Sequence, residues 1–344
     1  MTVERRALVQ LDGVPLLSDG GLETTLVFHK GIDLPGFAAF DLLRRDQGRQ
    51  VLADYFRSYL DLAREAGTGF LLESPTWRAN PAWGPQLGYD SEELAEANRQ
   101  AIALLQQLRQ EAETAATDGA APGPILISGC IGPRGDGYEA DQQLDADAAE
   151  AFHRWQIAVL SQAGVDLVSA FTISAAAEAV GIVRAARHEG VPVVISFTVE
   201  TDGRLPSGQP LGEAIEQVDA ESGAAAAYFM VNCAHPSHLS ETLQEGGRWR
   251  ERIGGLRVNA SRRSHAELDE AESLDAGDPE ELGAEFSRLR ERLPSLAVLG
   301  GCCGTDRRHV QAIARATLPL LWESLQRLNP PPPADPAARW HQRG

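Results

Sequence analysis

The chain has 344 residues and carries 49 acidic against 31 basic side chains, which gives a formal net charge of −18. Binding to nucleic-acid phosphates needs a basic patch, and an anionic membrane surface repels an acidic protein, so the composition argues against both partners. Hydrophobic residues make up 43% of the chain and charged residues 23%, values typical of a globular protein with a large core.

The first residues, MTVERRALVQLDG, lack the apolar core of a signal peptide. The longest apolar stretch, around Gly223 to Val231, is about half of the roughly 20 residues that a membrane helix needs. The four cysteines are too few for a disulfide-rich secreted scaffold, so we expect a cytoplasmic protein.

Lys30 is the only lysine in the sequence and lies in a polar segment, which argues against an enzyme that forms a Schiff base with its substrate.

Short apolar or β-branched runs alternate with longer amphipathic stretches along the whole chain, and this alternation is typical of parallel βαβ units. The predicted strands are Val14 to Asp19, Gly69 to Glu73, Pro124 to Ser128, Val165 to Ser169, Val191 to Thr198, Ala226 to Asn232, Gly255 to Val258 and Leu296 to Gly300. The predicted helices are Leu42 to Ala66, Ser91 to Ala116, Asp145 to Ala163, Ala175 to Glu189, Leu211 to Glu221, Ser237 to Glu245, Asp278 to Leu293 and Asp306 to Leu325.

Eight strands in strict alternation with eight helices predict an α/β fold, a single (β/α)8 TIM barrel over residues 1–329. The alternative is a doubly wound sheet, which would normally carry a G-x-G-x-x-G turn after its first strand. The sequence there is Gly20-Gly21-Leu22-Glu23, and the glycine-rich run from Gly129 to Gly137 also has the wrong spacing. Residues 330–344 begin with consecutive prolines and are predicted to form a disordered tail.

Cysteines occur where predicted strands end, which in a TIM barrel is the catalytic face. Cys130 follows the third strand, Cys233 the sixth, and Cys302 and Cys303 the eighth. The sulfurs of the sixth and eighth strands can bind one soft or borderline cation, and Zn²⁺ is the metal that such a ligand set favours. Three protein ligands leave a fourth position open, which is typical of catalytic zinc sites.

Other interpretations of these cysteines are small buried core residues or a Cys302–Cys303 redox pair. His235 and His238 follow Cys233 closely, and we interpret them as loop residues or as hydrogen-bond donors to ligands.

Zn²⁺ with three thiolates has a net negative charge, so it activates water poorly and suits a further thiol ligand. The bound thiol loses its proton and can then accept an alkyl group from a sulfonium or ammonium donor.

Several motifs occur in an order that resembles the zinc-dependent homocysteine S-methyltransferase family, from about Leu16 to Leu325. They are DGGLETTL at 19–26, GCIGP at 129–133, ISFT followed by SGQPL within 195–211, VNC at 231–233 and GGCCGT at 300–305. The Asn-Cys and Gly-Gly-Cys-Cys pair at this separation is specific, whereas each of the other motifs is weak by itself.

The resemblance implies a TIM barrel with one Zn²⁺ that transfers a methyl group to homocysteine and so forms methionine. The donor would be cationic, such as S-methylmethionine, S-adenosylmethionine or betaine. By position, the zinc ligands would be Cys233, Cys302 and Cys303. The residues beside the amino-acid end of homocysteine would be Asp19, Gly20 and Gly21. Those that orient substrate and ligands would be Asn232, Thr198 and Asn259.

The chain departs from the family after the fourth strand, where a glutamate typically holds the homocysteine amino group and this sequence has Phe171. We expect Glu73, at the end of the second strand, to replace that carboxylate, because a buried ammonium is costly without one. The alternative for Glu73 is a structural ion pair with Arg78.

Trp77 and Trp83 are candidates to contact the onium group of the donor. Two other functions stay open: a zinc-thiolate alkyltransferase with a different thiol acceptor, and a non-catalytic zinc-binding barrel.

Overall fold

The computed structural model describes residues 5–115, 123–137, 144–244, 246–269 and 273–328. Its parallel strands form a closed barrel in chain order. Their bounds are β1 Leu16–Leu17, β2 Gly69–Glu73, β3 Ile125–Ile131, β4 Leu167–Ile173, β5 Val193–Phe197, β6 Tyr228–Ala234, β7 Ile253–Val258 and β8 Val298–Gly301. The pairing of β1 with β8 closes the barrel, with Leu16 opposite Val298. The predicted TIM barrel is confirmed, whereas the predicted tail lies outside the described residues.

Helices lie on the outer face and connect successive strands. The longer ones are Asp46–Glu65, Ser91–Ala115, Ala146–Ala163, Ala176–His188, Leu211–Ser222, Pro279–Arg290 and Arg307–Leu328. Short α-helical turns are Leu22–Thr24, Pro236–Ser240 and His265–Asp269, a π-helical turn is Thr25–His29, and 3-10 turns include Val9–Asp12, Pro35–Phe37, Ala39–Arg44, Gly84–Leu87, Thr242–Gln244 and Arg248–Arg252. None of the helices in these described ranges is long and apolar enough to cross a membrane.

Several predicted elements differ in length from the structure, among them the sixth helix and the first strand. The sixth helix was predicted to continue to Glu245, but the α-helix ends at Ser240 and the chain goes on as a separate 3-10 turn. The first strand is shorter than predicted, although pairing with β8 continues beyond it through Ser18 N–H to Leu299 O (2.8 Å) and Gly301 N–H to Asp19 O (2.9 Å). Asp19 is therefore held at the carboxyl end of the barrel.

The barrel interior is apolar at the amino end of the strands and polar at the carboxyl end. Leu71, Leu167 and Met230 belong to one buried apolar cluster inside the barrel. Because side chains on one face of a strand recur every second residue, Glu73, two positions after Leu71, is directed inward as well. This alternation places polar side chains of several strands together at the barrel mouth.

Candidate metal centre and substrate site

The sulfur atoms of Cys233, Cys302 and Cys303 meet at the barrel mouth. The Cys233 sulfur lies 2.8 Å from that of Cys302 and 3.9 Å from that of Cys303, and all three atoms are within 4.8 Å of one another. Cys233 is buried, Cys302 is half-buried and Cys303 is exposed, so one side of the cluster faces the mouth. The sequence prediction that strands six and eight bring these thiols together is therefore confirmed as geometry.

A backbone distortion directs Cys233 toward the cluster. Regular alternation along β6 turns Asn232 inward and the next side chain outward. The pairing of β6 with β7 shifts register between Asn232 and Ala234, and Cys233 between them has φ of 55°. This left-handed conformation costs of order 1–3 kcal/mol for a residue that is not glycine. It brings the Cys233 thiol to the same side as the Asn232 side chain, 3.2 Å from the amide nitrogen.

Asn232 connects the cysteine cluster to the neighbouring strands. Its carbonyl oxygen accepts hydrogen bonds from the Thr172 N–H (2.9 Å) and the Ser196 hydroxyl (2.7 Å). Its amide donates to the Thr172 hydroxyl (3.0 Å) and to the Cys233 sulfur. Thr172 is also left-handed, with φ of 62°. The predicted role of Asn232 in orienting a ligand is consistent with this network, which fixes the thiol through its donor.

The chemistry of the cluster fits a thiophilic metal ion. Sulfurs bound at about 2.3 Å to one tetrahedral ion lie about 3.8 Å apart. The 3.9 Å between Cys233 and Cys303 is close to this distance, whereas the 2.8 Å between Cys233 and Cys302 is about 1 Å shorter, so these two sulfurs would move apart to bind one ion. Hydrogen bonding to Cys233 raises the pKa of Cys302 to about 12, and it also raises the pKa of Cys303. The thiolate forms of Cys302 and Cys303 are therefore disfavoured until a cation compensates their charge. The group therefore could hold a metal ion.

The remaining cysteine and the nearby histidines have other contacts. Cys130 lies inside the barrel on β3 and is not part of the three-sulfur group. His235 accepts a hydrogen bond from the Ser237 N–H at the start of a helical turn, and His238 contacts the Arg262 carbonyl (2.9 Å). His265, which the sequence reasoning missed, contacts the Cys233 carbonyl (2.6 Å) and so supports the strained residue.

Arg257 on β7 is a second site residue that the sequence reasoning missed. Its guanidinium lies 2.7 Å from the Asp19 carboxylate and donates to the carbonyls of Gly20 (3.0 Å) and Gly301 (3.0 Å). It also lies over the ring of Phe171, 5.1 Å from the centroid. Burial raises the pKa of Asp19, and the guanidinium opposes that rise. The Asp19 carboxylate is thus engaged with Arg257 rather than presented to a ligand.

Glu73 has a free oxygen inside the barrel mouth. Its side chain is buried, and one carboxylate oxygen accepts a hydrogen bond from the Ser169 hydroxyl (3.2 Å). The other oxygen is buried without a hydrogen-bond partner. Burial raises the pKa of Glu73 to about 7, with Arg257 as the opposing cation. A buried carboxylate oxygen without a partner is rare in proteins and marks a place where a ligand can donate.

Glu23 is a third carboxylate near the mouth and was not predicted as a site residue. It is half-buried, and burial raises its pKa to about 7. The charged groups that act on it are Cys302, Asp19 and Arg257. It belongs to the motif DGGLETTL, in which the resemblance assigns roles only to Asp19 and the two glycines. Its turn packs against the turn that follows Cys302, and the sequence does not indicate this contact between distant segments.

The first loop, where Gly20 and Gly21 are predicted to lie beside the amino-acid end of homocysteine, is tied to the turn after β8. The Gly21 N–H donates to the Thr305 carbonyl (3.0 Å). Gly20 packs against Tyr59, whose hydroxyl would lie 2.6 Å from a Cβ at this position. Thr198 and Asn259, by contrast, each have a buried side-chain oxygen with no partner. These two side chains can therefore still donate to or accept from a substrate.

The two tryptophans of the loop after β2 already contact a cation. The Arg78 guanidinium lies 4.0 Å from the ring centroid of Trp77 and 3.7 Å from that of Trp83, and it donates to the Gly135 carbonyl (3.1 Å). The packing of this loop by Arg78 favours a structural role for both rings. The Glu73 carboxylate, for which Arg78 was the alternative partner, contacts Ser169 instead.

The fold and the sulfur cluster together define a TIM barrel with a candidate metal centre of three cysteines at its catalytic face. The family model described as homocysteine S-methyltransferase matches residues 16–317. Homocysteine S-methyltransferase 4 of Zea mays is 27% identical over 90% of this chain and 92% of its own length, and homocysteine S-methyltransferase of Escherichia coli K12 is 25% identical over 90% and 96%.

Among solved structures, the metallated form of the homocysteine methyltransferase MmuM from Escherichia coli is similar in fold. The TM-score is 0.69 at 19% identity, over 90% of this chain and 99% of that one. The chain belongs to the homocysteine S-methyltransferase family and is a methyl-transferring enzyme. The resemblance inferred from the motifs is therefore confirmed.

Proposed function

We propose that the protein is a zinc-dependent methyltransferase that moves a methyl group from a cationic donor to the thiol of homocysteine and forms methionine. The observation that carries this proposal is the group of three cysteine sulfurs within 4.8 Å at the mouth of a barrel of this family. Cys233, Cys302 and Cys303 would hold the zinc ion. When bound, zinc deprotonates the acceptor thiol and keeps the resulting sulfur nucleophilic.

In this proposal, Glu73 binds the ammonium group of the acceptor. The family glutamate is replaced by Phe171, whose ring lies against Arg257 and cannot accept a hydrogen bond from an ammonium. The free oxygen of Glu73 faces the barrel interior and offers the missing anion. Thr198 and Asn259 supply further hydrogen-bonding groups around the substrate.

Other residues of the site position the thiol and the first loop. Asn232 and the left-handed backbone of Cys233 hold the thiol in position, so little reorganisation is needed when the acceptor arrives. The ion pair of Arg257 with Asp19 is already complete and keeps the first loop beside the cluster. A reducing compartment such as the cytoplasm, which we propose as the location, keeps three adjacent thiols available as metal ligands.

Metal analysis of cysteine variants, together with a methyl-transfer assay, tests the proposal. We expect one zinc per chain, and we expect Cys233→Ser, Cys302→Ser and Cys303→Ser each to lose most of the metal and all transfer to homocysteine, because a hydroxyl replaces a thiolate poorly. Cys130→Ser is the matched control and should retain both. Full zinc occupancy in all three variants would contradict the metal site. Zinc binding without transfer to homocysteine from any onium donor would instead favour another thiol acceptor or a non-catalytic role.

A further inference from the structure

We propose that Glu23 forms the binding site for the positively charged centre of the methyl donor, a sulfonium or quaternary ammonium group. This inference rests on the proposed function, because it needs a thiol acceptor at the cysteine cluster. It adds the residue that recognises the second substrate, for which the sequence suggested aromatic rings instead.

Backbone packing fixes Glu23 beside the cluster. The turn that carries it, Leu22–Thr24, rests directly on the turn that follows Cys302. The Thr24 hydroxyl accepts a hydrogen bond from the Gly304 N–H (3.2 Å), and the Gly21 N–H donates to Thr305. A Cβ at Gly21 would lie 2.6 Å from the Cys302 carbonyl oxygen, so only glycine permits this approach.

Of the carboxylates near the barrel mouth, Asp19 has an ion-pair partner, whereas Glu23 and Glu73 are available to bind cationic groups of the substrates. Asp19 is compensated by Arg257 at 2.7 Å. Neither Glu23 nor Glu73 forms an ion pair with a basic side chain in the described part of the chain. The acceptor brings an ammonium, and the donor brings an onium centre next to the methyl group that is transferred. S-methylmethionine and S-adenosylmethionine also carry an α-ammonium, but it lies three carbons away from the sulfonium. Arg257 acts on both carboxylates from a distance. Because neither has an ion-pair partner, each can bind one substrate cation.

The position of each carboxylate decides which cation it receives. A methyl group transferred in line is about 3–3.5 Å from the accepting sulfur when reaction begins, so the charged donor atom lies close to the cluster. The acceptor's ammonium is three carbons away from that sulfur. The turn that carries Glu23 packs against the Cys302 carbonyl and the Gly304 N–H, whereas Glu73 lies on β2 and contacts Ser169 of β4. Glu23 is also half-buried rather than enclosed, as a group that meets the second substrate from the open side should be.

The reaction explains why a carboxylate suits this place. The lone pair of the acceptor sulfur forms a bond to the methyl carbon, the bond from that carbon to the donor sulfur or nitrogen breaks, and its electron pair stays on the donor. The sulfur or nitrogen atom of the donor loses its positive charge in the same step. Its attraction to Glu23 disappears, which favours release of the demethylated product.

Kinetics of the zinc-loaded Glu23→Gln variant test the inference. We expect the KM of S-methylmethionine, S-adenosylmethionine or betaine, whichever the wild-type protein uses, to rise about tenfold or more. Zinc content and the KM of homocysteine should stay within about twofold of wild type. Asp33→Asn, which removes an exposed carboxylate from the same loop, is the matched control and should change neither KM. Glu23→Asp keeps the charge and should retain most of the donor affinity.

A binding measurement without acceptor separates this inference from the proposed function. Wild-type protein should bind S-methylmethionine more tightly than methionine, which differs from it in having an uncharged sulfur atom. Glu23→Gln should lose that preference even if the variant is inactive. A rise in the KM of homocysteine with unchanged donor KM would overturn the inference and assign Glu23 to the acceptor. Unchanged values for both substrates would also overturn it. Absence of zinc or of homocysteine binding in wild-type protein would overturn the proposed function instead.

Discussion

Replacing Glu73 with glutamine should stabilise the protein above neutral pH and impair it as an enzyme. Burial raises the pKa of this carboxyl group from 4.5 to about 7 in the folded chain. A folded-state pKa above the unfolded value means that stability is complete below about pH 4.5 and falls as the pH rises through 7. At about 1.4 kcal/mol for each tenfold change in proton affinity, ionising Glu73 costs the folded protein about 3 kcal/mol at pH 8.

Urea unfolding at matched zinc concentration measures this cost. The free energy of unfolding of Glu73→Gln should exceed that of wild type by about 3 kcal/mol at pH 8 and by about 1 kcal/mol or less at pH 5. The charged groups that face Glu73 are Arg257 and Asp19, and both are present in the two proteins, so the difference reports on Glu73. Asp33→Asn, at an exposed position, should show no such trend.

The same variant should bind the acceptor poorly. If Glu73 receives the ammonium of homocysteine, its loss should raise the KM of homocysteine by a factor corresponding to about 2–4 kcal/mol, with zinc content unchanged. A stability difference that is independent of pH would refute the argument from burial. An unchanged KM would refute the assignment of Glu73 to the acceptor and favour a thiol substrate without an ammonium.

Two further substitutions test the hydrogen bond and the ion pair that hold the site in place. Asn232→Ala removes the amide that donates to the neighbouring thiol, and we expect zinc affinity, measured by competition with a chelator, to fall about 10–100-fold; unchanged affinity would show that the strained backbone alone positions the ligand. Arg257→Gln leaves Asp19 buried without its cation, and we expect the free energy of unfolding to fall by about 3–5 kcal/mol at pH 8. The double variant with Asp19→Asn should recover part of this loss, and a double variant no more stable than the single one would contradict the ion-pair explanation.

The barrel and its thiols could be predicted because the relevant signals are local. Each strand and helix has its own periodicity, and in a TIM barrel the end of every strand lies on the same face. Cys233 and Cys302 could therefore be placed together although 69 positions separate them along the chain. The order of the strands along the chain is sufficient for this prediction, and it requires no knowledge of side-chain contacts.

The electrostatic partners could not be predicted because they depend on packing between distant segments. Arg257 and Asp19 are 238 positions apart, and nothing in the Gly-Leu-Arg-Val strand indicates which carboxylate the guanidinium meets. Glu23 acquires its place only through the contact of its turn with Cys302 and Thr305. The left-handed backbone of Cys233 arises from a register shift that the sequence of β6 does not signal.

The contact between the first and last turns joins the cysteine cluster to the seam of the barrel. The Gly301 N–H donates to the Asp19 carbonyl, and the Cys302 N–H donates to the Val258 carbonyl (2.7 Å), so one short segment pairs on both sides directly before Cys303. A metal ion held by Cys302 and Cys303 would thus anchor the strand that completes the ring. Amide protons of β8 should then exchange with solvent more slowly in the loaded protein than in the metal-free protein, since opening the seam would require release of the ion.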